Sequence, residues 1–261
     1  MINININFFR PWQVSVPPLI RYMETRHIEE FYETGKLMLT TFERCKTIED
    51  KSRQDKSEGI CNFEVNHNNG QINGIQVVGK QSYMLCTSLI ESGRLMDKFK
   101  TDNYLIIFQP LEFANCISKW IPGFKRGQVG LCTYKESKII KRNVQFDPNQ
   151  TVKLMLQASQ EGNDEEAKRL FNQSRREISE SINDNILNEP YLVKSSIYSD
   201  EAEVRIVWTA EDDVKEPLFL NCKEATNFCI PGFKLSKEYE PYKLKNDSTG
   251  SMIMTQNPFN I

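Results

Sequence analysis

The chain has 261 residues, with 33 lysines and arginines against 35 aspartates and glutamates, for a formal net charge of −2. It carries seven cysteines and only two histidines, His27 and His67, so a single-metal site built on three histidines is excluded within one chain. A balance this close to neutrality gives no global basic field, and electrostatic binding of nucleic acid would need a local patch.

Apolar residues make up 39% and charged residues 26%, a globular balance long enough to bury a core. No apolar run approaches the ~20 residues of a membrane span. The first residues lack the basic flank and continuous apolar stretch of a signal peptide, so the expectation is a cytoplasmic protein. The cysteines, at 45, 61, 86, 116, 132, 222 and 229, are odd in number and never in Cys-x-x-Cys spacing. Neither a disulfide framework nor a structural zinc site is expected. Cys86, Cys116 and Cys132 read as small buried apolar side chains.

Residues 2–7 alternate Ile and Asn, which reads as a strand or extended arm; Pro11, Pro17 and Pro18 then interrupt regular structure. Leu19–Met23 is a short buried strand. Thr25 to Thr34 is a helix with Thr25 as its cap and Gly35 at its end. Lys36–Phe42 alternates as a second strand. Residues 43–59 are dense in mixed charge and read as an exposed loop or short solvated helix that cannot be core. Residues 61–79 form a hairpin, with Asn-Asn-Gly at 68–70 and Asn-Gly at 73–74 as turn signals. Strands are expected at Tyr83–Ser88, Tyr104–Phe108 and Gly127–Tyr134, and a helix over Leu111–Trp120 behind Pro110. Residues 151–186 read as two helices split at Gly162-Asn163-Asp164. Ile197-Tyr198, Ala202–Trp208 and Leu218–Asn221 read as strands, and the end is loop-rich. The pentapeptide Ile-Pro-Gly-Phe-Lys recurs at 121–125 and 230–234, but two copies make no repeat architecture.

Many short strands without βαβα alternation or a glycine-rich strand-to-helix turn give an α+β class, with mixed or antiparallel sheets and flanking helices. The expected organisation is a single domain over 1–261. It comprises an N-terminal arm (1–17), a helical insertion (151–190) and a loop-rich C-terminal part (211–261).

Four constellations carry candidate chemistry. In Glu201-Ala202-Glu203-Val204-Arg205, strand alternation puts Glu201, Glu203 and Arg205 on one face. That is either an exposed strand with a surface ion pair or a catalytic glutamate that Arg205 keeps ionised. Arg21 within Leu19–Met23 is costly to bury unless paired, or is a phosphate-gripping guanidinium. Arg21 with His27 has the spacing of a helical ribonuclease motif, but Arg21 sits in a strand-like run and His27 reads as an ordinary helix residue. Arg53-Gln54-Asp55-Lys56-Ser57-Glu58-Gly59 is a solvated loop, a loop over a ligand, or, through Asp55 and Glu58, a Mg²⁺ nuclease site.

In their order along the chain, these pieces resemble a bacterial domain family carried by phage-defence and mobile-element loci. The matching pieces are Arg21-Tyr22-Met23, Asp55 with Glu58-Gly59, then Tyr83, Cys86 and Ser88, then Lys194, Tyr198, Glu201, Glu203 and Arg205. The same order is similar to that of ADP-ribosyltransferases, which implies an ADP-ribosyltransferase-like fold and NAD as substrate. By that resemblance Arg21 would hold an NAD phosphate, and Thr87 and Ser88 would support the nicotinamide ribose and the glutamate. Glu203 would stabilise the cationic sugar as nicotinamide leaves, and Glu201 would assist the acceptor. Tyr22, Tyr83 and Phe42 are candidates to stack on nicotinamide. An oxocarbenium-like transition state needs a fixed carboxylate and no histidine or metal. The first residue of the Ser-Thr-Ser-like strand is Cys86 here. The implied role is a toxin or phage-defence effector acting on a protein or nucleic-acid acceptor, with an antitoxin or defence partner and no membrane association. The alternative is a non-catalytic binding or sensor module of a defence system.

Overall fold

The computed structural model describes residues 5–6, 16–50, 54–67, 70–143, 148–173, 189–232, 245–246 and 252–253. The chain is a mixed α+β protein with mainly antiparallel sheets and flanking helices. It divides into two compact units: 1–58, 79–133 and 197–261 form the first, and 59–78 with 134–196 the second.

The elements follow in chain order. β1 (Asn5–Ile6) precedes β2 (Leu19–Met23), α1 (Thr25–Thr34), β3 (Lys36–Thr41) and α2 (Phe42–Thr47). The hairpin strands β4 (Ile60–His67) and β5 (Gly70–Val77) lead to β6 (Ser82–Ser88), α3 (Gly93–Phe99), β7 (Asn103–Ile107) and α4 (Pro110–Ser118). Then come β8 (Phe124–Leu131), β9 (Thr133–Lys135), β10 (Ile139–Asn143), α5 (Pro148–Gln160) and a helix over 164–173. β11 (Val193–Ser195), β12 (Glu203–Ala210), β13 (Leu218–Asn221), β14 (Cys229–Pro231), β15 (Lys245–Asn246) and β16 (Met252–Ile253) complete the order.

The first unit is built on a sheet in the order β1-β8-β12-β6-β2-β7-β14, with β3 joined to β6 and β13 to β3. Alternation along β12 sends Val204, Ile206 and Trp208 into the main core with Leu85, Val129, Phe113 and Ile117. The Trp208 indole N–H donates to the Ala114 carbonyl of α4 at 2.9 Å, which satisfies its polar edge inside that core. Glu203, Arg205 and Val207 take the opposite face. A smaller cluster of Ile20, Tyr22, Leu95, Tyr104, Ile106 and Ile230 covers the matching side of β2 and β7. β2 pairs with β7 along its length but meets β6 only at Ile20 opposite Ser88. β3 meets that same edge of β6 only at Met84 and Tyr83, so the edge is unladdered over 85–87.

The charged stretch after Phe42 is not a uniform loop. Thr41 caps a short helix there, its hydroxyl accepting the Arg44 N–H at 3.1 Å. α1 starts at Thr25 with Glu24 as its cap residue, and the Thr25 hydroxyl and N–H both donate to Asp102. Gly35 ends the helix at φ 75°, as expected of a left-handed cap. Ile197-Tyr198 lies in a 3₁₀ helix over Ser196–Glu201 rather than a strand. The two copies of Ile-Pro-Gly-Phe-Lys differ: Gly123 turns the chain into β8, whereas Ile230-Pro231 sits in β14.

In the second unit, β4 and β5 pair in the expected hairpin and β10 adds to β4 in parallel. Asn73-Gly74 is mid-strand rather than a turn. A Cβ at Gly74 would lie 2.3 Å from the Phe63 ring, so glycine there makes room for that ring across the ladder. Cys61, Val65, Ile140 and Val193 form the local core with Phe63. The helical stretch resolves into α5 and the 164–173 helix; the expected remainder, 174–186, falls outside the described residues.

Candidate functional site

Three strands far apart in the chain, β2, β6 and β12, are consecutive neighbours in the sheet. They carry Arg21, Cys86-Thr87-Ser88 and Glu203 respectively. Ser88 stands directly opposite Glu203, and Cys86 opposite Arg205. Facing residues on paired strands share a side of the sheet, so Ser88, Cys86, Glu203 and Arg205 form one patch.

The centre of that patch is charged and buried. Arg205 is 0% exposed, Glu58 2% and Glu203 3%. The Arg205 guanidinium donates to both Glu58 oxygens at 2.7 and 2.9 Å, and through Nε to Glu203 Oε1 at 2.8 Å. The ring of Phe42 lies 5.9 Å from its central carbon. Burial works against the Arg205 charge, yet Cys132, Glu203 and Glu58 hold the group well above its ordinary range. The Cys45 thiol is pushed up to about 12, by burial first and by the Glu58 charge next, against Arg205.

This corrects two expectations. The 43–59 segment is not wholly solvated: Asp55 and Glu58 are buried, because Glu58 closes a two-point pair with Arg205 and Asp55 accepts from the Ser57 N–H and hydroxyl. Nor do Glu201, Glu203 and Arg205 line one exposed strand face. Ala202 takes a left-handed φ of 43° between the 3₁₀ helix and β12, which breaks the alternation at that point. Glu201 turns instead to Lys98, 3.0 Å away.

Lys98 also pairs with Asp200 at 3.1 Å and lies 5.6 Å from the centre of the Tyr198 ring. Arg94 donates to Asp200 as well. The Tyr198 hydroxyl donates to the Gln54 carbonyl at 2.7 Å, which ties the 3₁₀ helix to the segment carrying Glu58.

The remaining sequence-derived residues have defined partners. Ser88 Oγ donates to the Glu201 carbonyl at 2.7 Å. Thr87 Oγ1 donates to the Val204 carbonyl at 2.7 Å and lies on the core side of β6. Arg21 alternates with Ile20 and Tyr22, so it shares its side of the sheet with Leu19 rather than with Ser88. Its Nη1 donates to the Cys86 carbonyl at 2.7 Å, inside the unladdered stretch of β6. The Tyr22 hydroxyl donates to the Ile90 carbonyl at 2.7 Å and accepts the Ser92 N–H at 2.9 Å. Burial raises the phenols of Tyr22 and Tyr83. His27 sits on α1 between Glu24 and Glu30, at 4.0 and 3.9 Å.

The structure therefore brings Ser88, Glu203 and Arg205 into one patch, with Glu201 bound to it through Ser88, and leaves the Arg21 side chain on the other side. Lys98 is the member that a reading of short motifs passes over, and Glu58, a candidate there for a ligand or Mg²⁺ loop, is instead the partner of Arg205. Compared with known proteins, the chain matches no family model, no curated protein and no solved structure. Among the described residues, no helix is long and apolar enough to cross a membrane.

Proposed function

We propose that the chain is an ADP-ribosyltransferase-like protein that acts on NAD through the β2–β6–β12 sheet. The observation that carries the reading is the adjacency of the three strands bearing Arg21, Ser88 and Glu203, with Ser88 directly across from Glu203. The strained backbone at Ala202, between the two glutamates, supports it, since non-glycine residues held at positive φ cluster at functional sites. In this reading Glu203 faces the developing sugar cation, Glu201 assists the acceptor, and Ser88 fixes the turn that separates them. Arg21 lies on the other side of the sheet from Ser88 and Glu203, so in this reading it braces β6 through the Cys86 carbonyl and does not reach a phosphate bound at the patch. Tyr22 on β2 and Tyr83 on β6 are the phenols these strands carry, and Thr87 braces β6 against β12. A defence effector or toxin is the biological role this chemistry fits.

A second reading has its own observation. Both oxygens of Glu58 and both of Glu203 accept from Arg205 in a fully buried cluster, which suits a scaffold residue better than a catalyst. In that reading the chain is a non-catalytic sensor that binds a partner protein. β5 is an edge strand among the described residues; its eight residues include no charge and no proline, and Ile75 is 69% exposed. Edges left undefended in this way accept an added strand. Release of nicotinamide from NAD by the purified chain, followed by proton NMR, separates the two. Release supports the transferase reading, and its absence in the presence of protein, DNA and RNA acceptors supports the sensor.

A further inference from the structure

Away from the charged patch, two thiols approach each other across the main core of the first unit. Cys116 lies on α4 and is half-buried; Cys222, fully buried, precedes the 3₁₀ helix over Lys223–Phe228. Their sulfurs are 3.4 Å apart. Both ends are anchored. The Trp208 indole holds the Ala114 carbonyl of α4, and the Cys222 N–H donates to the Gly35 carbonyl at 2.9 Å. Glu224 lies beside the buried thiol, its Oε2 3.8 Å from the Cys222 sulfur.

We propose that Cys116 and Cys222 form a peroxide-reactive dithiol site that closes into a reversible disulfide. Cys116 is the sulfur that meets the oxidant, because it alone of the pair reaches the surface. Cys222 is kept protonated until it is needed: burial first, then its hydrogen bond with Cys116, pushes its thiol up to about 12. In the first step the Cys116 sulfur attacks one peroxide oxygen. An S–O bond forms, the O–O bond breaks, and the departing hydroxide takes up the thiol proton as water. In the second step the Cys222 sulfur attacks the Cys116 sulfenic acid. The S–S bond forms and the S–O bond breaks, with the Cys222 proton passing by way of Glu224 to the leaving hydroxide. Two thiols are oxidised by two electrons and one peroxide is reduced to two waters. The sulfurs, 3.4 Å apart, must close to the ~2.05 Å of a disulfide, a movement of about 1.4 Å shared between a helix and a 3₁₀ turn. Cys229, which shares this core and whose thiol burial raises far above its ordinary range, stays outside the reaction.

The experiment treats the fully reduced chain with hydrogen peroxide, blocks free thiols under denaturing conditions and maps the peptides. The expected result is loss of two hydrogens and one cross-link joining the Cys116 and Cys222 peptides, reversed by a thiol reductant. In Cys222→Ser, Cys116 should instead be captured as a sulfenic acid by dimedone; in Cys116→Ser, Cys222 should remain freely alkylated. The wild-type map is decisive whether or not the variants fold. A cross-link joining any other pair, or two thiols still free after exposure to peroxide, overturns the proposal.

Discussion

Arg205 and Glu58, 147 residues apart in the chain, meet through two hydrogen bonds of 2.7 and 2.9 Å with neither side chain exposed. Glu203 adds a third bond from the same strand as Arg205. A buried ion pair adds little net stability over an apolar substitute, but removing one partner strands the other charge.

Glu58→Gln keeps the shape and removes a charge. It should cost at least about 3 kcal/mol, and so lower the melting temperature by roughly 6–12 °C. Calorimetry of the pair of proteins checks this. A shift of a degree or less would mean that Arg205 is held by other groups.

The same carboxylate, after burial, helps to push the Cys45 thiol up to about 12. Cys45 in the native chain should resist iodoacetamide at neutral pH, and its rate-against-pH midpoint should fall in Glu58→Gln. Peptide mapping of alkylation against pH reads both. A wild-type midpoint at the ordinary 9.0 would contradict the burial of this thiol against Glu58.

Asp200 gives a pH dependence of definite sign. Burial raises its carboxyl, but the bonds and charges of Lys98 and Arg94 outweigh that and hold it below its ordinary 3.8. A group depressed in the folded state stabilises fully above its unfolded value and loses that contribution as pH falls through its folded value. The stability difference between the wild type and Asp200→Asn should be constant above 3.8 and shrink below it. Urea midpoints across acidic pH measure this; a difference independent of pH would remove the ion pairs from the account.

Gly35 is a site where only glycine fits. A Cβ there would sit 2.2 Å from the Lys223 backbone nitrogen, at φ 75°. Gly35→Ala should cost about 1–2 kcal/mol for the left-handed conformation alone, and overlap with backbone that cannot rotate away adds to it. Chemical denaturation should place it among the most destabilising single-methyl additions. A neutral result would mean that the 222–223 segment moves freely.

Much of the scaffold follows from local pattern. Alternation in Val204-Arg205-Ile206-Val207-Trp208 announces a strand with a core face, and Gly35 announces the end of α1. The Glu58–Arg205 contact has no such signal. A run of mixed charge from 43 to 59 reads as solvated, because the arginine that desolvates Glu58 arrives only when β12 takes its place in the sheet. The break between Glu201 and Glu203 is equally silent: alanine carries no preference for positive φ, so nothing local marks Ala202 as the point where alternation stops. Ser88 and Glu203 were legible as candidates by type and order, but their direct pairing is a matter of register, which strand composition does not specify.

The most direct test of the NAD reading is nicotinamide release by the wild type beside Glu203→Gln, both first shown to be folded by circular dichroism. A carboxylate that faces the sugar cation should be worth about 10²-fold or more in turnover, so Glu203→Gln should fall by at least that factor while Glu43→Gln, whose side chain is exposed on α2, leaves turnover unchanged. Equal turnover by the wild type and Glu203→Gln, or none by either, would contradict the assignment of β2, β6 and β12 as an NAD site.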